Sequence, residues 1–145
     1  MNLSEWVQKC TTEELQGVSE RISKAMLKKS KGKSWFTGEY MSPEQVADQL
    51  VNGPHTCFFT DVDLMPSPTF GDQYNNAQYG RSQMSWDRLD PTIGYVPGNV
   101  VLCCLWFNKL KSSMSTDQMI VCLERLLKMR GIDYGKEVKE KGEER

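Results

Sequence analysis

The stretch Ser85–Ser115, SWDRLDPTIGYVPGNVVLCCLWFNKLKSSMS, decides how the chain is read. Ser85 to Leu89 alternates polar and apolar residues, as a half-buried strand does, and ends at the turn opener Asp90-Pro91. Ile93 to Asn99 carries two glycines and a second proline, which predicts a loop. Val100 to Cys103 is a short apolar run that reads as a second strand. Leu105, Trp106, Leu110 and Met114 then recur at roughly helical spacing, with Asn108, Lys109 and Lys111 on a polar side. Strand, loop, strand, helix is the expected order.

An acid on the first strand and an amide on the helix of such a unit can hold one cation between them. Here they are Asp87 and Asn108. Both are hard oxygen donors, the kind that Mg²⁺ or Mn²⁺ accepts while keeping several waters. Lys109 and Lys111 lie on the same helix and are candidates to meet a phosphate. Together these groups suit metal-assisted phosphodiester hydrolysis.

These residues carry a resemblance. Asp87-Arg88-Leu89-Asp90, Gly94-Tyr95, Asn99-Val100 and Asn108-Lys109-Leu110-Lys111 resemble the phage-type, Asp-Arg branch of the HNH endonuclease family. The resemblance implies a ββα-metal hairpin over about residues 84–113 and a single divalent ion held by Asp87 and Asn108. It further implies contacts to DNA, expected as double-stranded, from Arg88 and Lys111. Asn99 would brace the loop rather than take part in chemistry. Asp90 is read as the turn opener, with some help in orienting Arg88.

The resemblance reaches back to Cys57-Phe58-Phe59-Thr60, which is similar to the family's zinc knuckle. Two Cys-x-x-Cys pairs would map onto Cys57 with Thr60 and Cys104 with Phe107. Neither Thr nor Phe is a normal structural zinc ligand, so no structural zinc is expected, and Cys57 and Cys104 are read as small buried residues. The family's general base is a His directly after the metal-binding Asp, and here that position is Arg88. Arginine cannot be deprotonated in proteins. His55 is the single histidine and ranks first as the base, with Tyr74, Tyr79 and Tyr95, or a metal-bound water that ionises with little help, as alternatives.

Composition sets the outer bounds. The chain has 145 residues, 39% hydrophobic and 26% charged, which suits one small α+β domain, mostly helical, over residues 1–135. Residues 136–145 read as a charged, disordered tail. Five cysteines, two of them adjacent, make a poor disulfide framework and favour a reducing, intracellular setting, the cytoplasm of a bacterial host for a phage protein. No run approaches a membrane span. A net charge of −1 means that any positive surface for nucleic acid is local.

Upstream, Thr11-Thr12-Glu13-Glu14 predicts a helix start, with Leu15, Val18, Ile22, Ala25 and Met26 as its apolar face. Lys28, Lys29, Lys31 and Lys33 at its far end read either as a solvated, dipole-compensating face or as a phosphate-contacting arm. Ser42-Pro43-Glu44-Gln45 opens a helix of about ten residues. Residues 65–84 read as a long inserted loop. Ser115-Thr116-Asp117-Gln118 caps a final helix. Two functions stay open: an HNH-type endonuclease, acting as a homodimer or within a larger complex, or a catalytically inactive DNA- or protein-binding descendant.

Overall fold

The computed structural model describes residues 1–66 and 82–131. The 67–81 part of the expected inserted loop, with Tyr74 and Tyr79, and the expected tail at 136–145 lie outside them. The described residues form an α+β protein with five helices and one two-stranded antiparallel sheet. In order these are α1 (Leu3–Lys9), α2 (Thr12–Ser30), α3 (Pro43–Asn52), β1 (Met84–Arg88), β2 (Val100–Cys104), α4 (Leu105–Lys111) and α5 (Thr116–Met129). The chain divides into two compact units, Met1–Ser113 and Met114–Arg145. No described helix is long and apolar enough to cross a membrane.

Local chemistry sets the helix starts. Asn2, Thr11, Ser42 and Ser115 each cap a helix by accepting from the backbone N–H three residues on. Ser42 with Gln45 and Ser115 with Gln118 close full capping boxes, and Pro43 occupies the first position of α3, where its missing N–H costs nothing. In the second unit, α5 keeps Ile120, Val121, Leu126 and Met129 exposed.

The buried face of α2 differs from the apolar stripe that the sequence predicts. Val18 and Met26 are buried, but so are Ser19, Ser23 and Ser30, while Ala25 is exposed. The reason is close packing against α3. Small side chains let the two helices approach, and the buried hydroxyls of Ser23 and Ser30 donate to the carbonyls of Met41 and Met26, both at 2.7 Å.

A two-stranded sheet has two open edges and is marginal by itself. Here both edges are framed. The register pairs Arg88 with Val100, Trp86 with Leu102 and Met84 with Cys104, and these residues turn their polar backbone groups outward. Along β2, Gln49 Nε2 donates to Val100 O, Phe58 N to Leu102 O, and Cys104 N to Cys57 Sγ. Along β1, Met84 N donates to Met65 O, while Trp86 O and Arg88 O accept from the Asn108 and Lys111 side chains. Gln49 also takes the Trp86 indole N–H at 3.2 Å, so α3 grips both strands through one amide.

The loop between the strands is closed by Asn99. Its Oδ1 accepts from Asp90 N, and its Nδ2 donates to the carbonyls of Asp90, Ile93 and Gly94 at 3.0–3.2 Å. Gly98 precedes it at φ 86°, a conformation that glycine enters without a Cβ penalty. Gly94 is tight for another reason: a Cβ there would sit 3.3 Å from the Trp35 ring. Asn99→Ala should therefore lower the stability of the protein by about 3 kcal/mol, because buried loop groups lose their partners. Chemical denaturation checks this, with a shifted midpoint and an unchanged slope expected.

Candidate functional site

The site forms where α4 lies against β1. Side chains alternate along a strand, so Ser85 and Asp87 share one face of the sheet while Trp86 and Arg88 share the other. α4 supplies the partners of the first face. Asn108 Nδ2 donates to Ser85 Oγ at 2.8 Å and to Trp86 O at 3.2 Å. Lys111, one turn further, places its Nζ 2.8 Å from Asp87 Oδ2 and 3.4 Å from Arg88 O. With its nitrogen committed to the strand, Asn108 has its amide oxygen as the atom suited to coordination.

Lys111 and Asp87 are only 1% and 8% exposed, so this is a buried ion pair. Isolated burial of either charge would be prohibitive, and each is admitted by the other. Beyond Lys111, Asp87 Oδ2 has no hydrogen-bond partner among the described residues. The adjacent Cys103 is fully buried, and burial pushes its thiol far above the usual range, with Asp87 adding to the shift.

Arg88 points away from this face. Its Nη1 donates to Pro91 O at 2.6 Å and Ile93 O at 3.0 Å, and its guanidinium sits 3.9 Å above the Trp35 ring and 5.5 Å from Tyr95. The structure thus gives Arg88 the work of fastening the 89–99 loop, through charge-assisted bonds and a cation–π stack. Burial raises the Tyr95 hydroxyl pKa, and Arg88 partly offsets this. Asp90 accepts the N–H and hydroxyl of Thr92, and these bonds hold its carboxyl below the usual range. That is a turn built on an acid.

Cys57 and Thr60 come together with Cys104 at the end of β2, although Cys104 is 44 residues or more from each of them. Cys104 N donates to Cys57 Sγ at 3.2 Å, and Thr60 Oγ1 lies 3.8 Å from Cys104 Sγ. Phe107 stacks on Phe59 at 4.6 Å rather than joining them as a ligand would. Burial pushes the Cys57 thiol up, but hydrogen bonds from Thr60 and nearby backbone N–H groups outweigh it, so its pKa ends lowered. Burial raises that of Cys104. Among the described residues no three His, Cys, Asp or Glu side chains gather as a metal cluster would need.

His55 lies beyond the end of α3, its Nε2 2.6 Å from Leu50 O. A carbonyl only accepts, so Nε2 is the donor of this bond. Lys28, Lys29, Lys31 and Lys33 are exposed at and just beyond the end of α2, and Lys109 is exposed on α4. Sequence reasoning missed Ser85, Gln49 and Trp35 as the partners of Asn108, the sheet and Arg88. The alternation that sets Ser85 beside Asp87 was the available signal for the first; the other two are long-range packing with no local signature.

Lys111→Met should destabilise the protein by roughly 3–5 kcal/mol, since it strands the Asp87 carboxylate, and Asp87→Asn should cost less. The double variant should recover most of the loss. A double-mutant cycle from denaturation midpoints measures this, and additive losses would show that the two side chains do not interact.

No known protein family, curated protein or solved structure matches the chain.

Proposed function

We propose that this protein is an HNH-type endonuclease that hydrolyses DNA phosphodiester bonds with one divalent ion, its protein ligands being Asp87 and Asn108. One observation carries the reading: Asn108 and Lys111, one helical turn apart, reach onto β1 around the inward-facing carboxylate of Asp87. The donor set fits the ion. A buried carboxylate oxygen with a single partner and an amide oxygen are hard donors, and Mg²⁺ binds through one or two carboxylates with the rest of its shell from water and substrate phosphate. When bound, the ion supplies Lewis-acid polarisation of the phosphate and stabilises the charge of the leaving oxygen.

The chain's own residues do the rest in this reading. Asp87 and Asn108 fix the position of the reacting centre because α4 and β1 are locked together. Ser85 holds the Asn108 amide in one orientation by accepting from its nitrogen. Lys111 balances the carboxylate. Arg88 keeps the 89–99 loop closed beside the site and takes no proton. Nδ1 of His55 and the Tyr95 hydroxyl are the proton acceptors to be separated by substitution.

A second reading has its own support. The Lys111 ammonium already neutralises Asp87 at 2.8 Å, so the pair is self-sufficient as a structural bridge. On that reading the hairpin is an inactive DNA- or protein-binding module.

Cutting of supercoiled plasmid in Mg²⁺ or Mn²⁺ decides between them. The nuclease reading expects cleavage that falls by on the order of 10³ in Asp87→Asn, a variant that keeps an acceptor for Lys111. His55→Ala or Tyr95→Phe should cause a comparable loss for whichever group is the base. No cutting by the intact protein in either metal retires the enzyme and leaves the binding module.

A further inference from the structure

The apolar stripe of α2 is only partly covered by the protein. Val18, Ile22, Ala25 and Met26 form one wall of a groove of about 290 Å³. The opposite side comes from the hairpin, with Trp86, Tyr95 and Leu105 contributing apolar surface and Ser85 also lining it. Two cations of α2, Arg21 and Lys29, line the same groove, and among the described residues no acid does. Among the described residues the single ion pair is Lys111 with Asp87, so no described carboxylate neutralises Arg21 or Lys29.

Spacing and size constrain what fits. Eight residues separate Arg21 from Lys29, a rise of about 12 Å along the helix. The two cations are thus far enough apart to meet separate phosphates of one strand. A groove of about 290 Å³ lies at the low end of the roughly 300–1,000 Å³ of small-ligand sites, room for one unstacked nucleotide and too little for a duplex. An apolar wall beneath flanking cations is the combination by which proteins hold single strands, bases on the wall and backbone on the charges. Ser85 also borders the groove, and its hydroxyl accepts from Asn108 at 2.8 Å on the sheet face opposite Trp86.

From this juxtaposition we infer that the groove between α2 and β1 binds an unpaired nucleic-acid strand, its phosphates on Arg21 and Lys29 and a base against Trp86, Tyr95 and Leu105. The inference rests on the nuclease reading for its purpose: the groove borders β1 at Ser85, whose hydroxyl meets Asn108 across the strand, and single-stranded or branched DNA is then the substrate. Binding itself needs neither metal nor Asp87.

The test is fluorescence anisotropy of a labelled 12-nucleotide oligothymidine and of a duplex of equal length, in EDTA. The intact protein should bind the single strand more tightly than the duplex. Arg21→Glu with Lys29→Glu should weaken single-strand binding at least tenfold and flatten the salt dependence by about 1.4 in log–log slope, the share of two lost phosphate contacts. Both side chains are exposed, and circular dichroism verifies that the variant folds. Lys24→Glu with Lys28→Glu, on the same helix outside the groove, should weaken it much less. Asp87→Asn should bind as the intact protein does. No single-strand binding, tighter duplex binding, or equal losses in the two charge-reversed variants would overturn the groove. Groove-dependent binding without cleavage in any divalent metal would retire the nuclease and keep the groove.

Discussion

One buried ion pair governs how the hairpin and its helix fit together. Lys111 can lie 1% exposed only because Asp87 faces it, and Asp87 can face inward only because Lys111 is there. The pair fixes the rotation of α4: with Lys111 on Asp87, Asn108 one turn earlier must meet β1 near Ser85 and Trp86. A helix rotated by one residue would bury a charge without a partner. The polar contacts of α4 therefore specify its placement, and its apolar contacts, such as Phe107 on Phe59, add adhesion.

The same economy holds for the sheet. Two strands of five residues cannot bury their own edges, and the surroundings complete them with side-chain amides, a thiol, an ammonium and backbone from the turn at 57–61. This explains why groups of very different chemistry converge on ten strand residues. Gln49, Cys57, Asn108 and Lys111 each satisfy an outward backbone group, so each is under structural demand whatever chemistry it also performs.

Much of the architecture was legible because local rules agreed with the fold. Ser42-Pro43 with Gln45 marked a ten-residue helix to its first residue, and Asp90-Pro91 and Gly98-Asn99 marked the loop between the strands. The face of α2 was not legible: an apolar count overlooks serines that are buried because they are small. Nor was the state of Lys111. Lysine is ordinarily solvated, and only a carboxylate brought from 24 positions upstream turns it inward. Arg88 shows the same limit. Its place beside Asp87 in sequence suggested a shared task, while strand alternation sends it to the opposite face, onto Trp35 and the loop carbonyls.

The claim on which the account turns is that Asp87 and Asn108 take one hard cation between β1 and α4. Nuclear magnetic resonance of the ¹⁵N-labelled protein titrated with Mn²⁺ tests it directly, because the paramagnetic ion broadens the signals of groups close to it. The account predicts that the Asn108 side-chain amide and the backbone amides around Asp87 broaden first, with Asp87→Asn abolishing the effect. Broadening confined to exposed carboxylates such as Glu44 and Asp48, with the Asn108 amide unchanged, would contradict it.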